Sequence, residues 1–154
     1  MEIELFNNKL KVFECGKVLV LGTHKNKGEY YEKKCNIRND YKHLQLCFEG
    51  KQKHYKIHRI IALAFLGLDI DNPKKVIDHI NRNRKDNQVS NLRIVSHQEN
   101  MFNQDAKGYS KHRNKYGARI KINGKDIYLG LFETETEARN AYLIAKQIHH
   151  PLPQ

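Results

Sequence analysis

Short apolar runs alternate with polar segments through the first third of the chain. The runs KLKVF, GKVLVLG and YKHLQLCF are rich in β-branched, aromatic and other apolar residues, and clusters of Gly, Asn and Lys separate them. Runs of this length and composition favour antiparallel strands joined by turns. We therefore predict a β-rich region over residues 1–55.

The apolar period becomes helical in KIHRIIALAFLG, residues 56–67. The residues that recur at the spacing of one helix face are Ile57, Ile60, Ile61, Ala64 and Phe65. Gly67 follows at a position suited to the end of a helix. The pattern predicts a buried helix that stops at Gly67.

A strand, a polar loop, a second strand and a helix are predicted next. VIDHI is short and β-branched, NRNRKDNQVSN has no period, and LRIV is again typical of a strand. Ser96 and Glu99 have the spacing of a capping box, which predicts a helix that extends to about Asn103.

The segments YGARIKI and KDIYLGLF predict a β-hairpin, because Asn123-Gly124 between them suits a type I′ turn. Strict alternation places six residues on an apolar face: Ala118, Ile120, Ile122, Ile127, Leu129 and Leu131. Arg119, Lys121 and Tyr128 then lie on the other face. The hairpin should therefore have one apolar and one basic face.

A helix should cover the apolar face of this sheet. Thr134 and Glu137 form a second capping box, which predicts the start of the helix. The apolar stripe that follows consists of Ala138, Ala141, Tyr142, Ala145 and Ile148. The basic face of the sheet is expected to stay open.

The charge of the chain limits the kinds of partner that it is expected to bind. The 154 residues include 28 Lys and Arg against 17 Asp and Glu, a net charge of +11. Residues 107–125 contain seven of the basic residues and no acidic one. One-signed clustering of this kind favours a polyanionic partner, above all nucleic acid. A basic but otherwise ordinary protein is the alternative.

Cysteine content and hydropathy argue against a disulfide-rich protein, a four-cysteine zinc site and a membrane-spanning protein. Cys15, Cys35 and Cys47 are odd in number and include no Cys-x-x-Cys pair, which argues against a disulfide framework and a four-cysteine zinc site. No apolar run is long enough to span a bilayer. We expect no membrane partner and a cytoplasmic location, in a bacterial or phage-infected cell.

The Asp78-His79 pair is the candidate for chemistry. Phosphodiester hydrolysis needs a base for the attacking water and positive charge near the leaving oxygen. A neutral histidine supplies the first, and a divalent metal held by oxygen ligands supplies the second. Adjacent strand residues point to opposite faces, so Asp78 and His79 could contact different groups around one phosphate. Asn100 could add a second oxygen ligand to the metal. Alone, an Asp-His pair is more often a turn or a surface feature.

The segments IHRIIALAFLG, VIDHINRNRKDNQVSNLRIVS and QENMFNQ together resemble the HNH homing endonuclease family. The resemblance implies a ββα-metal fold with His79 as general base and one divalent ion, Mg²⁺ or Mn²⁺, per active site. It implies that Asp78 and Asn100 are the metal ligands and that Asn91 braces the loop and positions the histidine. Asn100 stands where many members of the family have a histidine. Asn81, Asn83 and Asn87 are interpreted as turn formers.

Several basic residues close to the motif are candidate phosphate contacts: Arg82, Arg84 and Arg93. Each of them could equally be an ordinary surface residue. His58 and Arg59 match a His-Arg pair that usually begins the preceding helix in the family. A phosphate contact and a partly buried histidine at a helix start are equally open readings of that pair.

Residues 108–149 are similar to the APETALA2-type DNA-binding domain, in which a three-stranded sheet lies in the major groove. The tryptophans usual in plant members are missing, since the chain has no Trp. The resemblance and the alternation together indicate the DNA-binding residues Arg113, Lys115, Arg119, Lys121 and, less directly, Lys125 and Tyr128.

The patterns and the two resemblances together predict an α+β protein with three parts: a β-rich region (1–55), a central ββα-metal HNH module (56–105), and a three-stranded antiparallel sheet packed on one helix (106–154). The predicted function is a metal-dependent endonuclease that nicks or cuts double-stranded DNA, as a monomer or a DNA-assembled dimer. A non-catalytic DNA-binding regulator on a degenerate nuclease scaffold is the main alternative. A nuclease directed at RNA is a third.

Overall fold

The computed structural model describes residues 1–7, 9–48, 51–69 and 71–151. The chain forms two compact units, Met1–His97 and Gln98–Gln154. The architecture mixes several antiparallel sheets with a few helices. The three-part functional division made from the sequence stays a prediction.

Two antiparallel sheets fill the first part of the first unit. The four-stranded sheet consists of β1 (Glu2–Leu5), β2 (Leu10–Phe13), β3 (Val18–Leu21) and β4 (Tyr30–Tyr31). The three-stranded sheet consists of β5 (Asn36–Arg38), β6 (Tyr41–Phe48) and β7 (Lys51–Lys56). Each of the three runs predicted as strands contains one. Asn39 and Asp40 both have positive φ and join β5 to β6 as a two-residue turn, which sets the position of Tyr41.

The predicted helix and the following strands are present. Helix α1 spans Ile57–Phe65, and Gly67 follows with a φ of +67°. Strand β8 (Lys75–His79) pairs with β9 (Leu92–Ser96), and helix α2 spans His97–Phe102.

One hydrophobic core joins the β-rich region to these elements. Its buried members come from β2, β3, β6, α1, β8 and β9 and from the segment after α1, and they include Leu10, Leu44, Ile61, Ile77 and Leu92. Leu10, Leu44 and Ile61 have no exposed surface. Truncation of such a residue to alanine costs roughly 2–5 kcal/mol. The β-rich region is therefore part of the foundation on which β8 is held.

The second unit contains a three-stranded antiparallel sheet of β10 (Tyr109–His112), β11 (Lys115–Ile122) and β12 (Lys125–Phe132). Asn123 and Gly124 both have positive φ and connect Ile122 to Lys125. The predicted two-residue turn is confirmed.

A β-bulge changes which residues of β12 share a face. Ala118 pairs with Gly130, but Arg119 pairs with Tyr128, so Leu129 is an additional residue in the ladder. Beyond the bulge Leu131 lies opposite Gly117, with 49% of its surface exposed. The prediction that Leu131 lies on the apolar face is therefore wrong, because strict alternation does not allow for an extra residue.

Helix α3 (Glu135–His149) packs on this sheet. The side chain of Thr134 accepts a hydrogen bond from the Glu137 amide, and the Glu137 side chain accepts one from the Thr134 amide, so the predicted capping box is confirmed. The buried residues of the helix are Ala138, Tyr142 and Ala145. The predicted stripe continues to Ile148, but this residue is 66% exposed, one turn beyond the last buried residue.

In the part of the chain that the structure describes, no helix combines the length and the apolar character needed to cross a bilayer.

Candidate active site

Asp78 and His79 occupy the end of β8, where Asp78 pairs with Arg93 and His79 with Leu92 on β9. Asp78 is 5% exposed and His79 is 4% exposed. Buried Asp and His residues need partners, because an unpaired polar group loses its hydration without compensation. The contacts of these two side chains therefore indicate what the site is built to do.

The carboxylate of Asp78 forms an ion pair with the guanidinium of Arg93. Its Oδ2 accepts a hydrogen bond from Arg93 Nε at 2.9 Å and lies 2.8 Å from Arg93 Nη2. The Arg93 side chain is 12% exposed. The guanidinium is thus engaged with Asp78, and its predicted role as a phosphate contact stays a prediction. Removal of one partner from a buried pair typically costs about 3–5 kcal/mol.

His79 is held by Asn87, a contact that the sequence interpretation of Asn87 as a turn former missed. The distance from His79 Nε2 to Asn87 Oδ1 is 3.2 Å. The Asn87 amide nitrogen donates to the Lys85 carbonyl at 3.3 Å, which fixes the orientation of the amide. Because Oδ1 can only accept, this geometry assigns the proton to Nε2 and leaves Nδ1 of neutral His79 as the basic nitrogen.

Burial favours the neutral form of this histidine. Desolvation lowers the pKa of His79 below its ordinary value, although the Asn87 hydrogen bond and the Asp78 carboxylate act in the opposite direction. A neutral imidazole at neutral pH is able to accept a proton.

Asn91 connects the two sides of the loop between β8 and β9. Its Oδ1 accepts from the Asn81 amide at 2.9 Å, and its Nδ2 donates to the Asp86 carbonyl at 2.8 Å. Asn81 and Asn83 accept from amides two residues ahead, as turn-forming asparagines do. The asparagine content of this segment thus fixes the shape of the loop that presents Asn87 to His79.

The N-terminal β-rich region also supports this loop. The Val89 amide donates to the Glu14 carbonyl at 2.9 Å. Gly16 has a φ of +85°, and a Cβ at this position would lie 2.8 Å from the backbone carbonyl of Asn87. Only a glycine meets both requirements without displacing the loop.

An aromatic cluster surrounds His79 within the same unit. The His58 ring meets the His79 ring edge to face, with 5.2 Å between centroids, and the Tyr41 ring lies 4.9 Å from His58 and 6.1 Å from His79. His58 is 5% exposed, and its buried Nδ1 has no hydrogen-bond partner within the described residues. Burial lowers the pKa of His58 to about 3. His58 is therefore a neutral packing partner of His79 in this structure.

The predicted metal ligands belong to different units. Asp78 is in the first unit, and Asn100 lies half-buried on α2 in the second. Across the described ranges, no group of three or more His, Cys, Asp or Glu side chains could hold a metal ion. Carboxylate and amide oxygens are ligands that Mg²⁺ and similar hard cations accept, so the donor chemistry of the predicted pair fits a divalent ion. Their joint role stays a prediction.

The other predicted DNA contacts lie in two places, the loop after β8 and the sheet of the second unit. Arg82 and Arg84 are exposed on the loop after β8. Arg119 and Lys121 are exposed on one face of the second unit's sheet, and Lys115 on that face pairs with Glu133.

Two further predicted contacts lie outside that group. Arg113 is exposed in the turn before β11, with a φ of +56°. Lys125 lies opposite Ile122, so the register places it on the face of the sheet away from Arg119.

Comparisons with known proteins find a family match over the segment that contains Asp78 and His79. Residues 55–102 match the model of the HNH endonuclease family. An uncharacterized HNH endonuclease of Acanthamoeba polyphaga mimivirus is 42% identical over 53 residues, which make up 34% of this chain and 13% of that protein. The chain therefore spans a small part of the length of this relative.

A solved structure describes DNA binding and cleavage by the HNH homing endonuclease I-HmuI, and the present fold is similar to it. The TM-score is 0.56 at 23% identity, over 83% of this chain and 76% of that one. At this identity the likeness concerns the fold. The family model and the viral relative thus agree on an HNH endonuclease segment within this chain, and the solved structure shows a similar fold.

Proposed function

We propose that this protein is a metal-dependent endonuclease that hydrolyses phosphodiester bonds in double-stranded DNA. The observation that carries the proposal is the buried His79, whose Nε2 is held by Asn87 at 3.2 Å beside Asp78, inside the segment 55–102 that matches the HNH family model. The hydrogen bond with Asn87 supports the proposal because it leaves Nδ1 of neutral His79 as the basic nitrogen that a general base requires.

In the proposed reaction His79 is the general base. Nδ1 takes a proton from the attacking water, and the Nε2 proton shared with Asn87 keeps the ring in orientation as positive charge develops. The water oxygen bonds to phosphorus, the bond to the 3′ oxygen breaks, and that oxygen takes up a proton from solvent water, so the products carry 5′-phosphate and 3′-hydroxyl ends. A bound divalent ion, Mg²⁺ or Mn²⁺, would supply positive charge for the phosphate and the leaving oxygen. Asp78 and Asn100 are the residues proposed to hold it.

Arg93 and Asn91 are proposed to act indirectly. Arg93 fixes the carboxylate of Asp78 and neutralises it in the absence of an ion. Asn91 holds the loop from which Asn87 reaches His79, which supports its proposed role as a brace.

The second unit is proposed to bind DNA through the face of its sheet that carries Arg119 and Lys121, with Arg113 and Lys115 at its margin. The exposed Tyr128 and Leu131 lie on the same face because of the bulge. We propose residues 108–149 as an APETALA2-like module on the resemblance of their sequence, and the use of a sheet to bind DNA in that family supports the choice of this face. Replacement of Arg119 and Lys121 with methionine should weaken DNA binding and lower the slope of log affinity against log salt by about 0.9 for each phosphate that is no longer neutralised. Lys125→Met, on the other face, is the matched control.

Cleavage of supercoiled plasmid in Mg²⁺ or Mn²⁺ tests the nuclease proposal. His79→Ala should lower the cleavage rate by a factor of about 10²–10⁴, because a positioned base contributes about that much. DNA binding should be retained. His54→Ala removes an exposed histidine of the same unit and should leave the rate unchanged. Absence of nicked or linear product from the wild type in either metal would overturn the enzyme proposal, and full activity of His79→Ala would overturn the assigned base.

One observation favours the non-catalytic alternative, a DNA-binding regulator on a nuclease scaffold. Asp78 Oδ2 contacts both Nε and Nη2 of Arg93, as a purely structural carboxylate would. The two functions differ in the effect of Arg93→Met. If the protein is a nuclease, Arg93→Met should lose cleavage and change its affinity for the metal ion. If it is a regulator, Arg93→Met should only lower the free energy of unfolding.

A further inference from the structure

The ring of Tyr41 contacts two basic side chains that come from different segments. Lys56 Nζ lies 4.7 Å from the ring centroid, and Arg84 Cζ lies 5.0 Å from it. Tyr41 begins β6, Lys56 ends β7, and Arg84 is on the loop after β8. We refer to these three residues as the tyrosine platform. It lies against the histidines, since the Tyr41 ring is 6.1 Å from that of His79.

Neither cation of the platform is in a salt bridge within the described residues, and the carboxylate of Asp86, two residues after Arg84, accepts hydrogen bonds from the Asn81 side chain and the Gln88 amide instead. Among the residues that the structure describes, no carboxylate lies within 4 Å of Lys56 or Arg84. The negative face of an aromatic ring attracts a cation, but it does not neutralise one. Two cations held on one ring therefore repel each other unless an anion joins them.

We propose that the tyrosine platform is a preformed phosphate-binding site, in which Tyr41 holds Lys56 and Arg84 in position for DNA phosphates that flank the scissile bond at His79. Tyr41 acts as a positioning residue, and the two cations make the contacts. Lys56 and Tyr41 belong to the β-rich region, so that region supplies part of the DNA-binding surface. The inference rests on the proposed function for the nature of the anion.

The first test measures binding of a duplex oligonucleotide in EDTA as a function of salt, so that it does not depend on cleavage. Lys56→Met with Arg84→Met should reduce the slope of log affinity against log salt by about 1.8, or about 0.9 for each phosphate that is no longer neutralised. Lys56 makes no side-chain cap bond to α1, so its replacement leaves the helix start intact. Lys51→Met with Lys53→Met removes two exposed charges from the same strand and should leave the slope unchanged. An unchanged slope in the platform variant would overturn the proposal.

The second test isolates Tyr41. Tyr41→Phe keeps the ring and should bind within about twofold of the wild type, whereas Tyr41→Leu removes the cation–π contacts and should bind roughly fivefold to thirtyfold more weakly. In the background that lacks both cations, Tyr41→Leu should have almost no further effect. An equal loss in both backgrounds would assign Tyr41 a purely structural role and refute the platform.

The two proposals can fail separately. If the wild type binds DNA but cuts nothing in Mg²⁺ or Mn²⁺, the nuclease proposal fails while the platform test stands. If cleavage occurs and the platform variants keep the wild-type salt slope, the platform fails and the nuclease proposal stands.

Discussion

Replacement of Gly16 by alanine probes how the hairpin of β2 and β3, whose turn contains Gly16, supports the active-site loop. Gly16 and Gly28 have nearly equal φ values, +85° and +84°. A Cβ at Gly16 would lie 2.8 Å from the backbone carbonyl of Asn87, whereas a Cβ at Gly28 would meet nothing within 4 Å. The two positions therefore share the conformational cost of alanine and differ in the steric cost.

The magnitudes follow from this comparison. A left-handed conformation costs an L-residue roughly 1–2 kcal/mol, which is the whole loss expected for Gly28→Ala. Insertion of a methyl group against fixed backbone adds about 1–3 kcal/mol, so Gly16→Ala should lose about 2–5 kcal/mol. Against a total stability of about 5–15 kcal/mol for a typical protein, that loss is large but leaves a folded population.

Urea denaturation followed by circular dichroism measures both variants. Under conditions in which Gly16→Ala is folded, displacement of Asn87 from His79 should also lower the single-turnover cleavage rate by about tenfold to a hundredfold. Gly28→Ala should cleave at the wild-type rate. If Gly16→Ala is no less stable than Gly28→Ala, the close approach of the hairpin to the loop is refuted.

Three further predictions concern stability. Between pH 7 and pH 5 the free energy of unfolding of the first unit should fall by about 2 kcal/mol, because the pKa of His58 falls from 6.5 to about 3 on folding and only the unfolded chain takes up the proton in this interval. Urea titrations at the two pH values should show a smaller pH dependence for His58→Phe than for the wild type. An equally steep pH dependence in the variant would contradict the prediction. Asn91→Ala removes two hydrogen bonds and should lower the free energy of unfolding by about 1–3 kcal/mol in urea denaturation. Asn91→Asp keeps the acceptor, so its stability should lie between those of the wild type and Asn91→Ala. An Asn91→Ala variant as stable as the wild type would show that the loop does not depend on this side chain. Thr134→Ala should lower the stability of the second unit by about 1 kcal/mol in thermal unfolding, since the capping box is lost, while Thr136→Ala, inside the helix, should not.

Local patterns predicted much of the fold. The helical period of residues 56–67, the Asn123-Gly124 turn and the Thr134 capping box depend on neighbours in sequence, and the structure contains all three. Leu131 was misassigned because a bulge adds one residue to β12, and nothing in an alternating apolar run marks that addition. Register is a property of two strands, so one strand's sequence does not fix it.

The candidate site was predictable in its chemistry and less so in its contacts. The motif indicated Asp78 and His79, which lie side by side at the end of β8. From the sequence, their partners Arg93 and Asn87 are interpreted as a phosphate contact and a turn former. Cross-strand pairing explains Arg93, since a strand predicted directly after the loop places it opposite Asp78. The Asn87 contact depends on the three-dimensional path of the loop, for which the sequence offered no comparable pattern.

The close approach at Gly16 has a consequence for the transfer of this motif between proteins. The segment 55–102 matched by the family model excludes Gly16 and Tyr41, although both contact the surroundings of His79. A chimera that received this segment alone would inherit the reactive groups without the surfaces that hold them. Exchange of residues 1–102 is therefore the smallest transplant expected to preserve the site, because it adds Gly16 and Tyr41 to the matched segment and keeps Asn100.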